Sequence, residues 1–218
     1  MIWYSYDDAG QPVWYLAFPD AITGTTGSVT TDLFRYVWAG GAAHGTRVGR
    51  ATLTRQSGRL VYAWEVDGQS GSEPMQLLTS STCVTGPAGP FNPSGLWFEP
   101  ARSGYGANFF TRPDVDFAVL YLYGNDGRAR WLLGQNPQFN NAPMTLFQYS
   151  GFCPSCAAIP VTRQAAGSVL RSFNAAGATG ELSGRWTITS DFLAPLAGAW
   201  NANDVPMQLL TNPKVCSP

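Results

Sequence analysis

Hydrophobic and polar residues alternate along short segments through most of the chain. In the segment "RLVYAWEV", the residues on one face are Leu60, Tyr62, Trp64 and Val66. In "WYSYDDAGQPVWYLA" (3–17), two aromatic segments flank a turn rich in Asp, Gly and Pro, which is typical of a β-hairpin. Further turns are indicated at Ser57-Gly58, Asp67-Gly68 and Asn125-Asp126-Gly127. Because one-sided burial favours antiparallel sheets, the pattern predicts an all-β fold, barrel-like or sandwich-like, without long helices.

Three segments recur in the same order along the chain, which indicates an internal duplication. The pairs are "WYSYDDAGQPVWYLA" (3–17) with "LYLYGNDGRARWLLG" (120–134), "DLFRY" (32–36) with "TLFQY" (145–149), and "PMQLLT" at 74–79 and 206–211. The longest pair aligns without a gap and shares tyrosine, glycine and tryptophan positions. We therefore predict two related antiparallel β units.

A segment rich in Pro and Gly, "TGPAGPFNPSG" (85–95), separates the two copies and is typical of a linker. We predict copy 1 at residues 1–84, the linker at 85–94 and copy 2 at 95–218. Copy 2 opens with "GLWFEPARSGYGANFF", which has no match in copy 1, so copy 1 is expected to lack its opening hairpin. Copy 2 also carries the extra segments "CPSC" and "SDFLAPLAGAW".

Four motifs carry a family resemblance. They are "GLWFEPARSGYG" (95–106), "WYSYDDAGQPVWYLA" (3–17), "GRATL" (49–53) and "EVDGQSGSEPMQLL" (65–78). Together they resemble an uncharacterised tandem β-repeat module of proteobacterial secreted and cell-surface proteins, with the pattern GxWFxPxxSGxG followed by WYxYDxxGxPxW. Copy 1 departs from the pattern by lacking the first motif, and copy 2 by blurring the closing hairpin. The resemblance implies export and binding at a surface, and it supplies no catalytic residue.

Charged residues make up only 12% of the 218-residue chain, with a net charge of −1 and a pI of about 5.7. The basic residues are scattered, so we expect no nucleic-acid partner. No apolar run is long enough to span a bilayer, so we expect no membrane insertion. We expect a secreted, periplasmic or cell-surface location, with an export signal that this chain does not contain.

The four cysteines set further expectations. Cys153 and Cys156 in "FCPSC" have the spacing of a tight disulfide, a redox pair or half a zinc site. A second half-site is missing, since His44 is the only histidine, so we predict a structural disulfide and an oxidising compartment. Cys83 and Cys216 follow matching segments, and they either pair or remain free.

Candidate catalytic residues are few, since the chain contains no Gly-x-Ser-x-Gly motif. His44 lies in "GGAAHGTRVG", where we expect a flexible glycine loop that holds a base poorly. Glu65 and Glu99 stand in strand segments beside aromatic residues, where burial would raise a carboxyl pKa towards acid–base use. Glu99 has the alternative of an ion pair with Arg102.

Acidic residues at turns suggest a second kind of site. The candidates are Asp7, Asp8, Asp114 and Asp116. Asp side chains commonly mimic backbone turns, which is the structural interpretation. The functional alternative is calcium, a hard cation that binds carboxylate and carbonyl oxygens in loops, although no EF-hand spacing is present. The acidic pair in "YDDAG" is particular to copy 1, so a metal is to be sought there first.

Aromatic residues recur in equivalent hairpins, either as core or as flat platforms for sugar rings and acyl groups. The candidate ligand-binding residues are Trp3, Tyr4, Trp97, Tyr105, Tyr121 and Trp131. Tyr105 stands between Gly104 and Gly106 and is expected to project from the surface.

These observations favour an extracellular recognition module that binds a glycan or an amphipathic small ligand through aromatic hairpin faces. One alternative is a small calcium-dependent hydrolase acting on an ester or lactone, and whether the protein is an enzyme stays open. The other alternative is an assembly domain that forms a homodimer through the sheet edge left open in copy 1.

Overall fold

The computed structural model describes residues 1–20, 27–56, 59–76, 83–86, 89–175, 182–211 and 216. The predicted turn at Ser57-Gly58 lies outside them. The fold is all-β, as predicted, with one six-stranded and one eight-stranded antiparallel sheet. The described part of the chain has only one helical turn, Pro100–Arg102, and no helix long and apolar enough to cross a membrane.

The first unit is a meander in which each strand pairs with the next. Its strands are β1 (Ile2–Tyr6), β2 (Pro12–Leu16), β3 (Gly27–Ala39), β4 (Ala42–Gln56), β5 (Arg59–Val66) and β6 (Gln69–Met75). The sheet is curled, since the ring of Trp3 on β1 lies 5.3 Å from Tyr62 and 5.5 Å from Trp64 on β5. Tyr62, Trp64 and Val66 are buried, which confirms the predicted alternation along β5.

Two short strands follow, β7 (Val84–Gly86) and β8 (Gly89–Phe91), which pair antiparallel from the last residue of predicted copy 1 into the segment predicted as a linker. The second unit then forms a closed eight-stranded barrel. Its strands are β9 (Gly95–Phe98), β10 (Gly106–Arg112), β11 (Val115–Tyr123), β12 (Ala129–Asn136), β13 (Met144–Ser150), β14 (Thr162–Ala175), β15 (Leu182–Ser190) and β16 (Ala202–Leu209). Pairing of β9 with both β10 and β16 closes the barrel.

The duplication seen in the sequence is a duplication of strand register. Tyr4 pairs with Trp14 across β1 and β2, and Tyr121 pairs with Trp131 across β11 and β12. A bulge after Leu33 in the β3–β4 pair recurs after the equivalent Leu146 in the β13–β14 pair. Strands β1–β6 therefore correspond to β11–β16. Among the described residues, nothing in the first unit corresponds to β9 and β10.

Strand pairing extends this correspondence to β4 and β5 in the first unit and to β14 and β15 in the second. The chain of partners Leu33, Gly49, Val66 in the first unit matches Leu146, Gly167, Ser190 in the second. Val66 and Ser190 therefore occupy equivalent positions, and so do Trp64 and Ile188.

The first unit fills its interior with larger side chains. Trp3, Tyr15 and Trp64 stand where the barrel has Leu120, Leu132 and Ile188. In the barrel, the extra hairpin and the residues that lead into it supply the buried rings of Trp97, Tyr105 and Phe109 instead. The first unit thus compensates for a missing strand pair with bulkier interior residues.

The two units pack through a reciprocal hydrogen-bond exchange. The indole N–H of Trp14 donates to the carbonyl oxygen of Leu122 at 3.1 Å. The indole N–H of Trp131, the equivalent tryptophan, donates to the carbonyl oxygen of Ser5 at 2.8 Å, and Ser5 is equivalent to Leu122. Such an exchange requires an approximate two-fold axis between the units, as in an isologous interface.

Other contacts of the interface obey the same two-fold relation. Trp14 stacks on Tyr36 with ring centroids 5.8 Å apart, and Trp131 stacks on Tyr149 at 5.6 Å. The backbone N–H of Trp38 donates to the carbonyl of Gly127 at 2.7 Å, and that of Gly151 donates to the carbonyl of Gly10 at 3.0 Å. The tryptophans and tyrosines shared by the two copies are therefore the residues that join them.

Both cysteine pairs are disulfide-bonded. Cys153 and Cys156 form the predicted local bridge. Cys83 and Cys216, which the sequence left undecided, form a second bridge across a separation of 133 residues. The second bridge joins the end of the first unit to the end of the second.

Replacing either interface tryptophan with phenylalanine is expected to destabilise the protein. Trp14→Phe and Trp131→Phe each leave a buried carbonyl without its donor, which costs about 1–3 kcal/mol of unfolding free energy. Urea unfolding followed by circular dichroism measures the change. Phe18→Ala, at a side chain that is 67% exposed, is the control and should unfold close to the wild-type midpoint. Wild-type midpoints for both tryptophan variants would contradict a stabilising interface.

The two disulfides are expected to differ in their effect on stability. Replacing Cys83 and Cys216 together with serine should lower the unfolding free energy by about 5 kcal/mol, against about 2 kcal/mol for Cys153 and Cys156, since the entropic gain grows with loop length. Urea unfolding of the two double variants measures both losses. A larger loss in the variant of the short bridge would be inconsistent with this account.

Candidate functional site: the cleft between the two units

A cleft of about 360 Å³ lies between the curled sheet and the barrel, where turns of both units meet. Its aromatic walls are Tyr6, Tyr15, Tyr36 and Trp64. Its charged residues are Asp7, Asp8, Arg35, Asp67, Arg128 and Arg130. Cys153 and Pro154 close one side. Alternation along β2 and β5 directs the rings of Tyr15 and Trp64 inwards, and the unit interface brings in the arginines of the second unit.

Two of the aromatic residues that line the cleft belong to the core of the first unit. Tyr15 and Trp64 are buried, and the indole N–H of Trp64 has no hydrogen-bond partner among the described residues. Arg35 lies over the ring of Tyr15 at 5.6 Å and forms an ion pair with Asp67. Burial raises the pKa of Tyr15, so its hydroxyl stays protonated at neutral pH.

Arg130 crosses between the two units at the base of the cleft. Its side chain is buried, and it donates to Asp7 at 3.0 Å, to Asp126 at 3.1 Å and to the carbonyl of Pro12 at 3.3 Å. Val13 occupies the equivalent position in the first unit, so this arginine breaks the two-fold relation. Since a buried guanidinium needs partners, the two carboxylates hold both hairpin turns against it.

Asp7 and Asp8, the acidic pair found only in copy 1, have different roles. Asp7 accepts hydrogen bonds from the backbone N–H groups of Ala9 and Gln11, at 3.1 and 2.9 Å, and so forms the turn while it holds Arg130. Asp8 is exposed at the rim and accepts no hydrogen bond from the described residues. It is therefore the cleft's available carboxylate.

The carboxylate of Asp8 lies within 4.8 Å of the sulfurs of Cys153 and Cys156. Those sulfurs are joined in a disulfide and offer no thiolate, so this trio does not form a metal site. The loop that carries the disulfide is fixed to the first unit, because the hydroxyl of Ser155 donates to the side-chain oxygen of Gln69. The loop thus forms a wall of the cleft.

The other two aspartates considered for calcium form ion pairs with arginines. Asp114 is exposed and pairs with Arg112 at 2.8 Å. Asp116 is fully buried in the barrel, where it accepts from Thr111 at 3.0 Å and pairs with Arg171. Asp116 lies near a turn, as predicted, but it belongs to β11 and is buried, so the expectation of a carboxylate open to a cation is wrong.

Two of the three catalytic candidates are placed differently than expected. His44 belongs to the continuous strand β4, with its ring Nε2 3.1 Å from the carbonyl of Ala39, so the expectation of a flexible loop is wrong. Glu65 is exposed and pairs with Arg50 at 2.9 Å, so the expected burial is wrong as well. The alternation that buries Trp64 directs Glu65 to solvent.

Glu99 is buried at the barrel mouth and belongs to a network away from the cleft. It pairs with Arg102 at 3.4 Å, as anticipated, and accepts a hydrogen bond from the hydroxyl of Tyr105. Burial, with the hydrogen bond to Glu99, raises the pKa of Tyr105 to about 12. In the described part of the chain, His44, Glu65 and Glu99 belong to separate hydrogen-bond networks.

The expected aromatic platforms are mostly interior. Trp97 and Tyr105 are fully buried in the barrel core, and Tyr121 and Trp131 are buried at the unit interface. The expectation of exposed binding faces is wrong for these four, because barrel closure and unit packing cover them. Trp3 and Tyr4 are half-buried, and Tyr4 packs edge-on against Trp131 with ring centroids 6.2 Å apart.

Reasoning from sequence missed most of the residues that form the cleft. The missed residues include Tyr36, Arg35, Asp67, Arg128 and Arg130. A signal was present in the duplication, since Arg35, Arg128 and Asp8 stand where the other copy has the amides Gln148, Gln11 and Asn125. A charged residue in one copy thus matches a neutral amide in the other. This difference indicates that equivalent surfaces of the two copies have different roles.

No protein-family model matches the chain, and no curated protein or solved structure is similar enough to count as a match. The chemistry of the cleft is therefore the basis on which a function can be assigned.

Proposed function

We propose that the protein is an exported recognition module that binds a small amphipathic molecule or a short glycan in the cleft between its two units. The observation that carries this proposal is a concave space with aromatic walls and charged residues of both signs. It replaces the expectation of binding on exposed hairpin faces.

The dimensions of the cleft support a small ligand. Its volume of about 360 Å³ falls at the lower end of the range of small-molecule sites, roughly 300–1,000 Å³. Its walls come from packed strands and from a loop held by the Cys153–Cys156 disulfide, so the site is preformed. A preformed site binds without a large ordering cost.

The chemistry of the walls supports a ligand with an apolar face and a polar edge. The rings of Tyr6, Tyr36 and Trp64 offer apolar surface, which suits the flat face of a sugar or another ring. The unpaired carboxylate of Asp8 and the 69% exposed guanidinium of Arg128 offer hydrogen bonds at the rim. Polar groups at the rim of an apolar cleft fix the orientation of a ligand.

Export is supported by the cysteines. All four form disulfides, which persist in oxidising compartments and are rare in the cytosol. The resemblance to a module of secreted and surface proteins points to the same location.

A ligand bound in the cleft should change the tryptophan fluorescence, because Trp64 forms one of its walls. Glycans and small amphipathic molecules are to be screened by this change, and hits measured by calorimetry. Asp8→Ala, Arg128→Ala or both are expected to weaken a hit about tenfold or more, depending on which charged group the ligand contacts, since a hydrogen bond to a charged group contributes about 1.5–3 kcal/mol.

The control for these variants is Arg185→Ala. Arg185 forms an exposed ion pair with Asp204 on the barrel, away from the cleft, and its loss should leave binding unchanged. Hits that bind all three variants with wild-type affinity would place recognition outside the cleft and overturn the proposal. A broad screen without any hit would do the same.

A further inference from the structure

The two-fold axis relates the open cleft to an equivalent position in the barrel. Residues of the barrel itself fill that position. In the first unit, the two-residue turn Asp67-Gly68 joins β5 to β6. In the second unit, residues 191–201 stand between β15 and β16. This insertion, which we call the plug, folds back on itself: the N–H of Phe192 donates to the carbonyl of Gly198 at 2.8 Å, and Asp191 forms a bridge with Ala199.

The plug lies against the counterparts of cleft residues at the hairpin turn. The ring of Trp200 lies 5.6 Å from that of Tyr123, which is equivalent to the cleft residue Tyr6. The backbone N–H of Asn125 donates to the carbonyl of Ala197 at 2.9 Å, and Asn125 is equivalent to Asp8.

Two further contacts complete the correspondence. The side-chain amide of Gln148, equivalent to Arg35, donates to the carbonyl of Leu193 at 3.0 Å and accepts from its N–H at 2.9 Å. The hydroxyl of Ser190, equivalent to Val66, donates to the carbonyl of Trp200 at 2.8 Å. The plug therefore occupies in the barrel the position that is open in the first unit.

The plug places two aromatic rings at the position that is open in the first unit. Its rings are inserted, since Phe192 is 4% and Trp200 is 9% exposed. Trp200 packs between Tyr123 and the half-buried Trp38, at 5.6 and 5.2 Å. A flat bicyclic ring is thus accommodated beside the tyrosine that is conserved between the two copies at this turn.

The charges of the open cleft differ from those around the plug. Arg35 is paired with Asp67, and Arg130 with Asp7 and Asp126. Arg128 lies 3.7 Å from Asp126, but Asp8 has no partner among the described residues. With the adjacent Asp126 included, four carboxylates stand against three guanidinium groups, and the carboxylate left over is Asp8, where the plugged position has the neutral side chain of Asn125.

We propose that the open cleft takes an aromatic ring that carries a protonated amine. The ring lies against Tyr6, as the plug's tryptophan lies against the equivalent Tyr123 in the barrel, and the amine pairs with Asp8. This inference rests on the proposed function and narrows its ligand from any amphipathic molecule to a cationic aromatic one. Rings of tyrosine and tryptophan add favourable electrostatics for a cation.

Tryptamine is the probe, because it joins an indole ring to an ammonium group, and indole-3-propionate is its matched anionic control. Calorimetry is expected to show one tryptamine bound per chain, with indole-3-propionate at least tenfold weaker. Asp8→Asn, a change at an exposed residue, should weaken the affinity for tryptamine at least tenfold. The Arg185→Ala control should bind tryptamine with wild-type affinity. Equal affinity for the two probes, or an Asp8→Asn variant that binds tryptamine like the wild type, would overturn the inference.

A graft tests the position of the ligand. Replacing Asp67-Gly68 by the plug sequence should close the cleft and abolish tryptamine binding, with the circular dichroism spectrum checking the fold. Retained binding in a folded graft would overturn the inference. If tryptamine fails while a screened ligand binds and is weakened by Asp8→Ala, the narrower inference fails and the proposed function stands. If no probe or screened ligand binds, both fail.

Discussion

The exchange of two indole hydrogen bonds across the unit interface is the constraint on which the rest of the structure depends. Trp14 and Trp131 each project from one unit and donate to the backbone of the other, so neither bond can form unless both units meet at the two-fold axis. This requirement fixes the relative position of the units, and with it the cleft. Because the same hairpin of each unit forms the interface, the two units can pack in this way only in one relative orientation.

The units solve the same packing problem with different means. The barrel closes with two additional strands and fills its interior with rings from that hairpin, around smaller residues such as Leu120 and Ile188. The described residues of the first unit form neither strand, and Trp3 and Trp64 stand at the positions of Leu120 and Ile188. Larger side chains thus stand at positions next to the absent strands, as dense packing of an interior requires.

Local pattern was enough to predict the all-β class, the turns at Asp67-Gly68 and Asn125-Asp126-Gly127, the duplication and the hairpin that copy 1 lacks, because these depend on neighbours along the chain. It was not enough for Tyr105, which stands between two glycines and yet is buried when β9 pairs with β16. Nor could it find the cleft, since Arg130 reaches Asp7 only through the packing of the two units. Long-range closure and unit packing decide burial at such positions.

The Cys83–Cys216 bridge gives the molecule a mechanical property. The whole barrel lies between the two bridged cysteines, so tension applied to the chain before Cys83 and after Cys216 passes through the sulfur–sulfur bond and bypasses the second unit. Only the first unit then bears the load. For a protein attached at both sides in a moving environment, the bridge would make the curled sheet the extensible element and keep the barrel folded.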